Sequence, residues 1–219
     1  MPVDLFLGGP LGLWVLDQVS ADEVGAVYTE TPEIIERVAA LQLGRWPSQV
    51  GLSVHYPRLL PPQVLSGYRA IYNIHPGLLP WGRGYYPVFW SMWADEPTGC
   101  TLHQIDGGID TGPIVAQRRV PKYSWDTGGS LHRRVSEAGK GLFLEYWPLL
   151  QGEALLGTVA QQSQGSYHNR ADFFALKRDT VARSGTELLR LIRCLSHEQY
   201  TGLEVEWGGR QYEISARPM

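Results

Sequence analysis

The sequence predicts an α/β protein: an open, mostly parallel sheet, followed by a small C-terminal helix and hairpin module. Three observations lead there. Short runs of apolar and β-branched residues alternate with segments of helical period. The first such run ends in a glycine-rich turn that feeds a helix, the opening of a βαβ unit. After Gln151 the chain turns polar, then offers one amphipathic helix and two short strands around a Gly-Gly-Arg turn. The expected boundary lies near residue 151, dividing 1–150 from 151–219.

Val3-Asp4-Leu5-Phe6-Leu7 reads as a buried first strand, and Gly8-Gly9-Pro10-Leu11-Gly12 as the turn after it, with a short helix over Leu13 to Val19. The glycines do not complete a dinucleotide fingerprint, and no acidic residue ends the next strand, Val24 to Tyr28, so the turn reads as close packing. Thr31 is a good N-cap, with Pro32 and Glu33 behind it; Ile34, Ile35, Val38 and Leu41 keep a helical period from Pro32 to Leu41. Gly51 to Tyr56 is the next strand, followed by a proline-rich turn and a short helix near Gln63 to Leu65. Arg69 to His75 is another. Asn73 and His75 lie two apart on it, so both side chains project from the same face near its carboxyl end, where open α/β sheets bind ligands.

Pro87 to Ala94 is apolar, aromatic and helical. Gly99 to Gln104 and Ile114 to Val120 read as a hairpin-like pair around the Asp106 to Gly112 loop. Leu131 to Leu150 is the longest helix, with apolar positions at Val135, Ala138, Leu142, Phe143 and Tyr146. Ala160 to Gly165 is polar and loop-like. Thr186 to Leu195 is an amphipathic helix, and Leu203 to Trp207 and Gln211 to Ile214 flank Gly208-Gly209-Arg210 as a hairpin.

Composition bounds the function. The 219 residues are 43% hydrophobic, enough for a sizeable core, and carry a net charge of -3, which argues against a protein living on bulk nucleic acid. Two cysteines, Cys100 and Cys194, give neither a disulfide framework nor a zinc spacing. No apolar run approaches a membrane span and the N-terminus lacks a basic signal region, so the expected compartment is the cytoplasm. Eight Trp and eleven Tyr supply core, interface and flat faces for heterocycles or sugars.

The chemistry gathers in two stretches, Asn73-Ile74-His75-Pro76-Gly77-Leu78-Leu79-Pro80 and Gly99 to Pro113. They offer an amide, imidazoles and carboxylates in apolar or glycine-rich surroundings, a set that can hold and polarise a carbonyl and move protons at neutral pH. The Asn73 amide donates without titrating. His75 donates when protonated and accepts when neutral. Asp110, between Ile109 and Thr111-Gly112, can keep an imidazole charged and relay a proton. Gly107 and Gly108 let backbone approach a ligand. His103 is expected to support the loop, and Asp106 to fix it through backbone hydrogen bonds.

Asn-x-His followed by Asp in an Asp-x-Gly-x-Asp-x-Gly-like run (Asp106-Gly107-Gly108-Ile109-Asp110-Thr111-Gly112) resembles the formyltransferases that use N10-formyltetrahydrofolate. The resemblance implies a Rossmann-like formyltransferase fold, N10-formyltetrahydrofolate as co-substrate, no metal, and Asn73, His75 and Asp110 as the catalytic set. Tyr56 to Leu60 and Ile105 to Gly108 match the segments between which the pterin inserts, so Tyr56, Leu59, Leu60, Ile105, Asp106, Gly107 and Gly108 are expected on the donor side.

Among the branches of that family, the chain is most similar to nucleotide-sugar N-formyltransferases. Leu79 to Trp90 looks like the loop those enzymes place beside the sugar, and Gly165-Ser166-Tyr167-His168-Asn169-Arg170-Ala171-Asp172 resembles their Gly-Thr-Tyr-His-x-x-x-Asp element, with Ser166 for Thr. The residues after Leu150 are not basic, which disfavours the transfer-RNA branch. The resemblance implies a dTDP-linked amino-dideoxyhexose as acceptor, for a surface glycan such as an O-antigen. Expected acceptor contacts are Pro76, Gly77, Arg83, Gly84, Tyr85, Tyr86, Tyr167, His168, Arg170 and Arg193, with Lys177 as a further diphosphate partner and Trp90 as a further stacking face. A homodimer is expected from the apolar edges of the C-terminal hairpin. Other small amines, such as a purine precursor or a hydroxylamine, and a non-catalytic folate- or sugar-binding protein are the competing readings. One βα unit around Gln42 to Gln49 is shorter than in the family, which implies a narrower sheet on the donor side.

Overall fold

The computed structural model describes all residues except 41–47, 153, 163, 179–182, 199, 201 and 218–219. Four strands, β1 (Val3–Leu7), β2 (Val24–Thr29), β3 (Val50–Val54) and β4 (Ala70–His75), run parallel. Two more, β6 (Gly99–Gln104) and β7 (Ile114–Arg119), complete a six-stranded sheet in the order β2-β1-β3-β4-β6-β7, with β6 antiparallel to both its neighbours. Between β4 and β6 lies a two-residue strand, β5 (Arg83–Gly84). The central strands β1 and β3 are buried at every position, because helices cover both faces of a parallel sheet. β2 and β7 are the two edges, and β7 ends exposed.

Helix α1 (Gly9–Leu16) starts four residues earlier than the sequence suggested. Pro10 sits in its first turn, where its missing N–H costs nothing, so the chain winds directly out of the glycines. Gly8 is needed for closeness: a Cβ there would stand 2.1 Å from the His55 carbonyl oxygen. Helices α2 (Pro32–Ala39), α3 (Pro62–Leu65) and α4 (Pro87–Trp93) each begin with proline. The shortened βα unit expected around Gln42 to Gln49, like Leu41, falls largely outside the described residues.

Helix α5 (Gly128–Leu150) begins one turn before Leu131, because Thr127 and Ser130 form a reciprocal capping box. It packs on β4, β6, β7, α1 and α4. The polar segment after it returns across the sheet: the Leu156 N–H donates to Tyr72 Oη at 3.1 Å, and Val159 bridges Ile114. It then delivers β8 (Tyr167–His168), which pairs in parallel with β5. Helices α6 (Arg170–Arg178) and α7 (Gly185–Leu195) and the antiparallel hairpin β9 (Leu203–Trp207) and β10 (Arg210–Ile214) follow. Phe173, Leu191, Cys194, Leu195 and Leu203 join one hydrophobic core with the sheet and α5. Both cysteines are buried and unbridged. Among the described residues no helix is long and apolar enough to cross a membrane.

Candidate active site

Four parallel strands bring their carboxyl ends to one edge of the sheet, and a cavity of about 540 Å³ opens there. Strand register builds its floor. Ser53 pairs with Asn73 across β3 and β4, and Asn73 with His103 across β4 and β6, so three polar side chains line up on neighbouring strands. All three line the cavity.

Asn73 Nδ2 lies 3.2 Å from His103 Nε2, and His103 Nδ1 lies 3.0 Å from its neighbour's carbonyl, Gln104 O. A carbonyl only accepts, so Nδ1 carries the His103 proton and Nε2 accepts from the Asn73 amide. That leaves the second amide hydrogen of Asn73 for the cavity. By the same reasoning His75 Nε2, 2.9 Å from Gly82 O, is a donor. His75 Nδ1 is then the nitrogen turned to Asp110, 3.6 Å from Oδ2; Asp110 Oδ1 lies 3.6 Å from His103 Nε2.

Asp110 is held from several sides. Oδ2 accepts the Gly84 N–H at 2.9 Å, and Gln161 Nε2 donates to the Asp110 carbonyl at 2.8 Å. Burial raises its pKa, yet the two imidazoles and the Gly84 N–H hold it well below the usual carboxylate range, so it is ionised. Burial lowers the His75 pKa, opposed by the Asp110 charge. Burial and the Asp110 charge thus pull the His75 imidazole in opposite directions.

The backbone is strained where it meets the cavity. Asp110, Tyr86 and His55 all have positive φ, at 53°, 58° and 53°. Side chains other than glycine pay of order 1 kcal/mol for this, and such residues cluster at functional sites.

The donor-side expectations come together in part. Tyr56, Leu59, Leu60, Ile105 and Gly108 line the cavity with Asn73, His75 and Asp110. Asp106 and Gly107 do not: the Asp106 carboxylate is turned inward on its own loop, accepting from Gly108 N and Thr111 Oγ1. On the other wall stand Pro76, Gly84, Tyr85, Tyr86 and Arg170. Gly77 lies behind His75, its carbonyl taking the Thr101 hydroxyl at 2.7 Å. Arg83 points its Nε at Ser166 O at 3.3 Å, outside the cavity wall. Tyr167 is half exposed on β8. His168 stacks on Trp90 (ring centroids 4.1 Å) and pairs with Glu96 at 3.1 Å. Its carbonyl holds the Tyr85 N–H, so it steadies the wall from behind. Arg193 Nε donates to the Asp126 carbonyl, and Lys177 is buried against Glu204, so the cavity wall contains neither cation.

Reading the sequence missed His55, His132 and Tyr200, which also line the cavity, and Gln161, which ties the C-terminal connector to Asp110, while Ser166, named in the motif, holds the Gly82 N–H. Each comes from a different element, and the chain after α5 brings in Tyr200, Gln161 and Ser166. His55 alone left a local signal, its place at the exit of a central strand. Among the described residues no group of three or more His, Cys, Asp or Glu is arranged to hold a metal ion.

A family model described as formyl transferase matches residues 22–146. The dTDP-4-amino-4,6-dideoxyglucose formyltransferase of Mycobacterium bovis is 31% identical over 170 residues, covering 77% of this chain and 70% of the relative. A 4-N formyltransferase from Francisella tularensis superimposes with a TM-score of 0.84 over 100% of this chain and 98% of its own, at 18% identity, a likeness of fold. The formyltransferase PseJ from Anoxybacillus kamchatkensis, solved with UDP-4,6-dideoxy-4-formamido-L-AltNAc and tetrahydrofolate, matches 78% of this chain and 87% of its own with a TM-score of 0.63 and 28% identity.

Proposed function

The chain belongs to the formyl transferase family, and from that membership we propose that it transfers a formyl group from N10-formyltetrahydrofolate to the amine of a nucleotide-linked amino sugar, a dTDP-linked amino-dideoxyhexose. One observation carries the reading: Asn73, His75 and Asp110 converge on one cavity, His75 Nδ1 lying 3.6 Å from Asp110 Oδ2. The similarity to enzymes whose own substrates are nucleotide-linked amino sugars supports the acceptor.

In this reading the neutral sugar amine attacks the formyl carbon and the carbonyl oxygen becomes an oxyanion. The free Asn73 N–H donates to it, a contact that strengthens as charge develops. The amine loses a proton to Asp110, directly or through water, and His75 Nδ1 shares that proton. The oxyanion then collapses, the bond from the formyl carbon to N10 breaks, and the proton returns to N10 of tetrahydrofolate. Atoms balance as formamide plus tetrahydrofolate. Residues 1–150 supply the catalytic domain, and 151–219 form a module that closes its acceptor side and presents a hairpin for a homodimer. This reading places the work in the cytoplasm.

The test is formyl transfer to a panel of dTDP- and UDP-linked amino sugars, with glycinamide ribonucleotide and small hydroxylamines as further arms. Turnover of one sugar that drops ~1000-fold or more in Asp110→Asn, with donor binding kept, supports the reading. Turnover of only a non-sugar amine, or none with ligand binding intact, sinks it.

A further inference from the structure

Asp110 meets His75 from a backbone with φ of +53°, the left-handed region that a side chain disfavours. Its neighbours must therefore hold it there. The loop closes tightly behind it: the Gln104 N–H donates to the Pro113 carbonyl at 2.9 Å, and a Cβ on Gly112 would stand 1.8 Å from the Gln104 carbonyl oxygen. Gln161 closes the other side. A single atom, its Nε2, donates to the Asp110 carbonyl at 2.8 Å and to the Gly112 carbonyl at 2.7 Å. Its Oε1 is buried and has no hydrogen-bond partner among the described residues. The amide thus commits both N–H groups to the loop while its acceptor goes unpaired, an arrangement in which only the donors favour the side chain.

Gln161 is itself anchored on both sides. Just before it, Val159 and Ile114 exchange two backbone hydrogen bonds at 2.8 Å. Further on, the Ser166 hydroxyl accepts the Gly82 N–H at 2.7 Å, and the Gly82 carbonyl accepts from His75 Nε2 at 2.9 Å. The same segment therefore holds Asp110 and steadies His75. Resting on the formyl-transfer reading above, we propose that Gln161 is a positioning residue for the reaction: it keeps Asp110 in the left-handed backbone that turns the carboxylate toward His75 Nδ1 and the reacting amine. Gln161 does not line the cavity, so its effect passes through Asp110. A misplacement of ~1 Å at a reacting group can cost ~100-fold in rate. Because the Asp110 carboxylate acts in the chemical step, the loss falls on kcat rather than on KM.

The experiment measures kcat and both KM values in Gln161→Met and Gln161→Glu, with thermal melting as the folding control. Each variant keeps the length of the side chain and removes both N–H donors, and the second serves if the first does not fold. Expected is a kcat ~10- to 100-fold lower, with both KM values within about 3-fold of wild type. Combining Gln161→Met with Gly84→Ala, which loosens the same carboxylate, should lower kcat by much less than the product of the two single effects. Near wild-type kcat in a folded variant, a change confined to KM, or fully multiplicative effects overturns the proposal. The His75 ring nitrogen shifts, followed without substrates, report the Asp110 position independently of turnover. They should move in Gln161→Met, and unmoved shifts overturn the proposal. Moved shifts in a protein whose wild type formylates no amine would support the hold on Asp110 and count against the formyl-transfer reading alone.

Discussion

Asp110 Oδ2 stands 3.6 Å from His75 Nδ1 while accepting the Gly84 N–H at 2.9 Å. The carboxylate is thus fixed by a backbone donor on β5, which is itself held by β8 across the β5–β8 pair. The position of the Asp110 carboxylate depends on a segment more than fifty residues further along the chain.

Replacing Gly84 with alanine should break this arrangement. Gly84 has φ of +89°, and a Cβ there would lie 2.3 Å from the His168 carbonyl oxygen. The strain is on the order of 1–3 kcal/mol, and relief moves the N–H off Asp110. Expected is a kcat at least ~10-fold lower with a smaller change in KM. Unchanged steady-state kinetics in a folded Gly84→Ala protein would show that the Gly84 contact is dispensable.

Asn73→Ala should cost ~100- to 1000-fold in kcat, the range for losing one donor to a developing oxyanion. His103 then loses its Asn73 partner, so its ring nitrogen shifts should move as well. Near wild-type kcat would place the oxyanion elsewhere.

Stability should fall as pH drops from about 6.5 toward 4. The folded-state pKa values of His55 and His197 are both lowered by burial to about 4 from 6.5. In that window the unfolded chain binds protons that the folded chain does not, so stability is fully present above 6.5 and lost on acidification. Asp110, with its pKa lowered, acts in the same direction at still lower pH. Urea titrations at pH 7, 5.5 and 4.5 measure this, and His55→Gln should flatten the curve; equal stabilities at all three would contradict the buried neutral imidazoles.

Trp207 is 81% exposed on the hairpin, with Tyr212 and Ile214 also exposed on the paired strand. If that face pairs two copies, Trp207→Glu should shift the protein to a monomer in light scattering at micromolar concentration while leaving the fold intact. A wild-type monomer at the same concentration would reject the hairpin as a dimer contact.

Much of this protein is written locally. The six strands of the main sheet and helices α2, α4, α5 and α7 follow from apolar period, proline placement and capping residues, all short-range signals, whereas β5, β8 and α6 left no such signal. Asn73 and His75 are legible for the same reason, because a two-residue step on a strand puts both on one face. The start of α1 is not legible locally, because three glycines read as a loop, while Pro10 and the close packing of Gly8 on His55 make them the helix entry.

Only tertiary structure decided the rest. The antiparallel turn of β6 set Asn73 opposite His103, and the return of the chain after α5 brought Gln161 to the Asp110 carbonyl and Ser166 to Gly82. It also spent Arg193 and Lys177 on distant partners and lined the cavity with His55 and His132 instead. Sequence alone determined the residue types able to polarise a carbonyl and the strand that carries two of them. Which partner each side chain meets depended on register and chain reversal, because long-range contacts are fixed by the summed packing of the whole core and leave no period in the sequence.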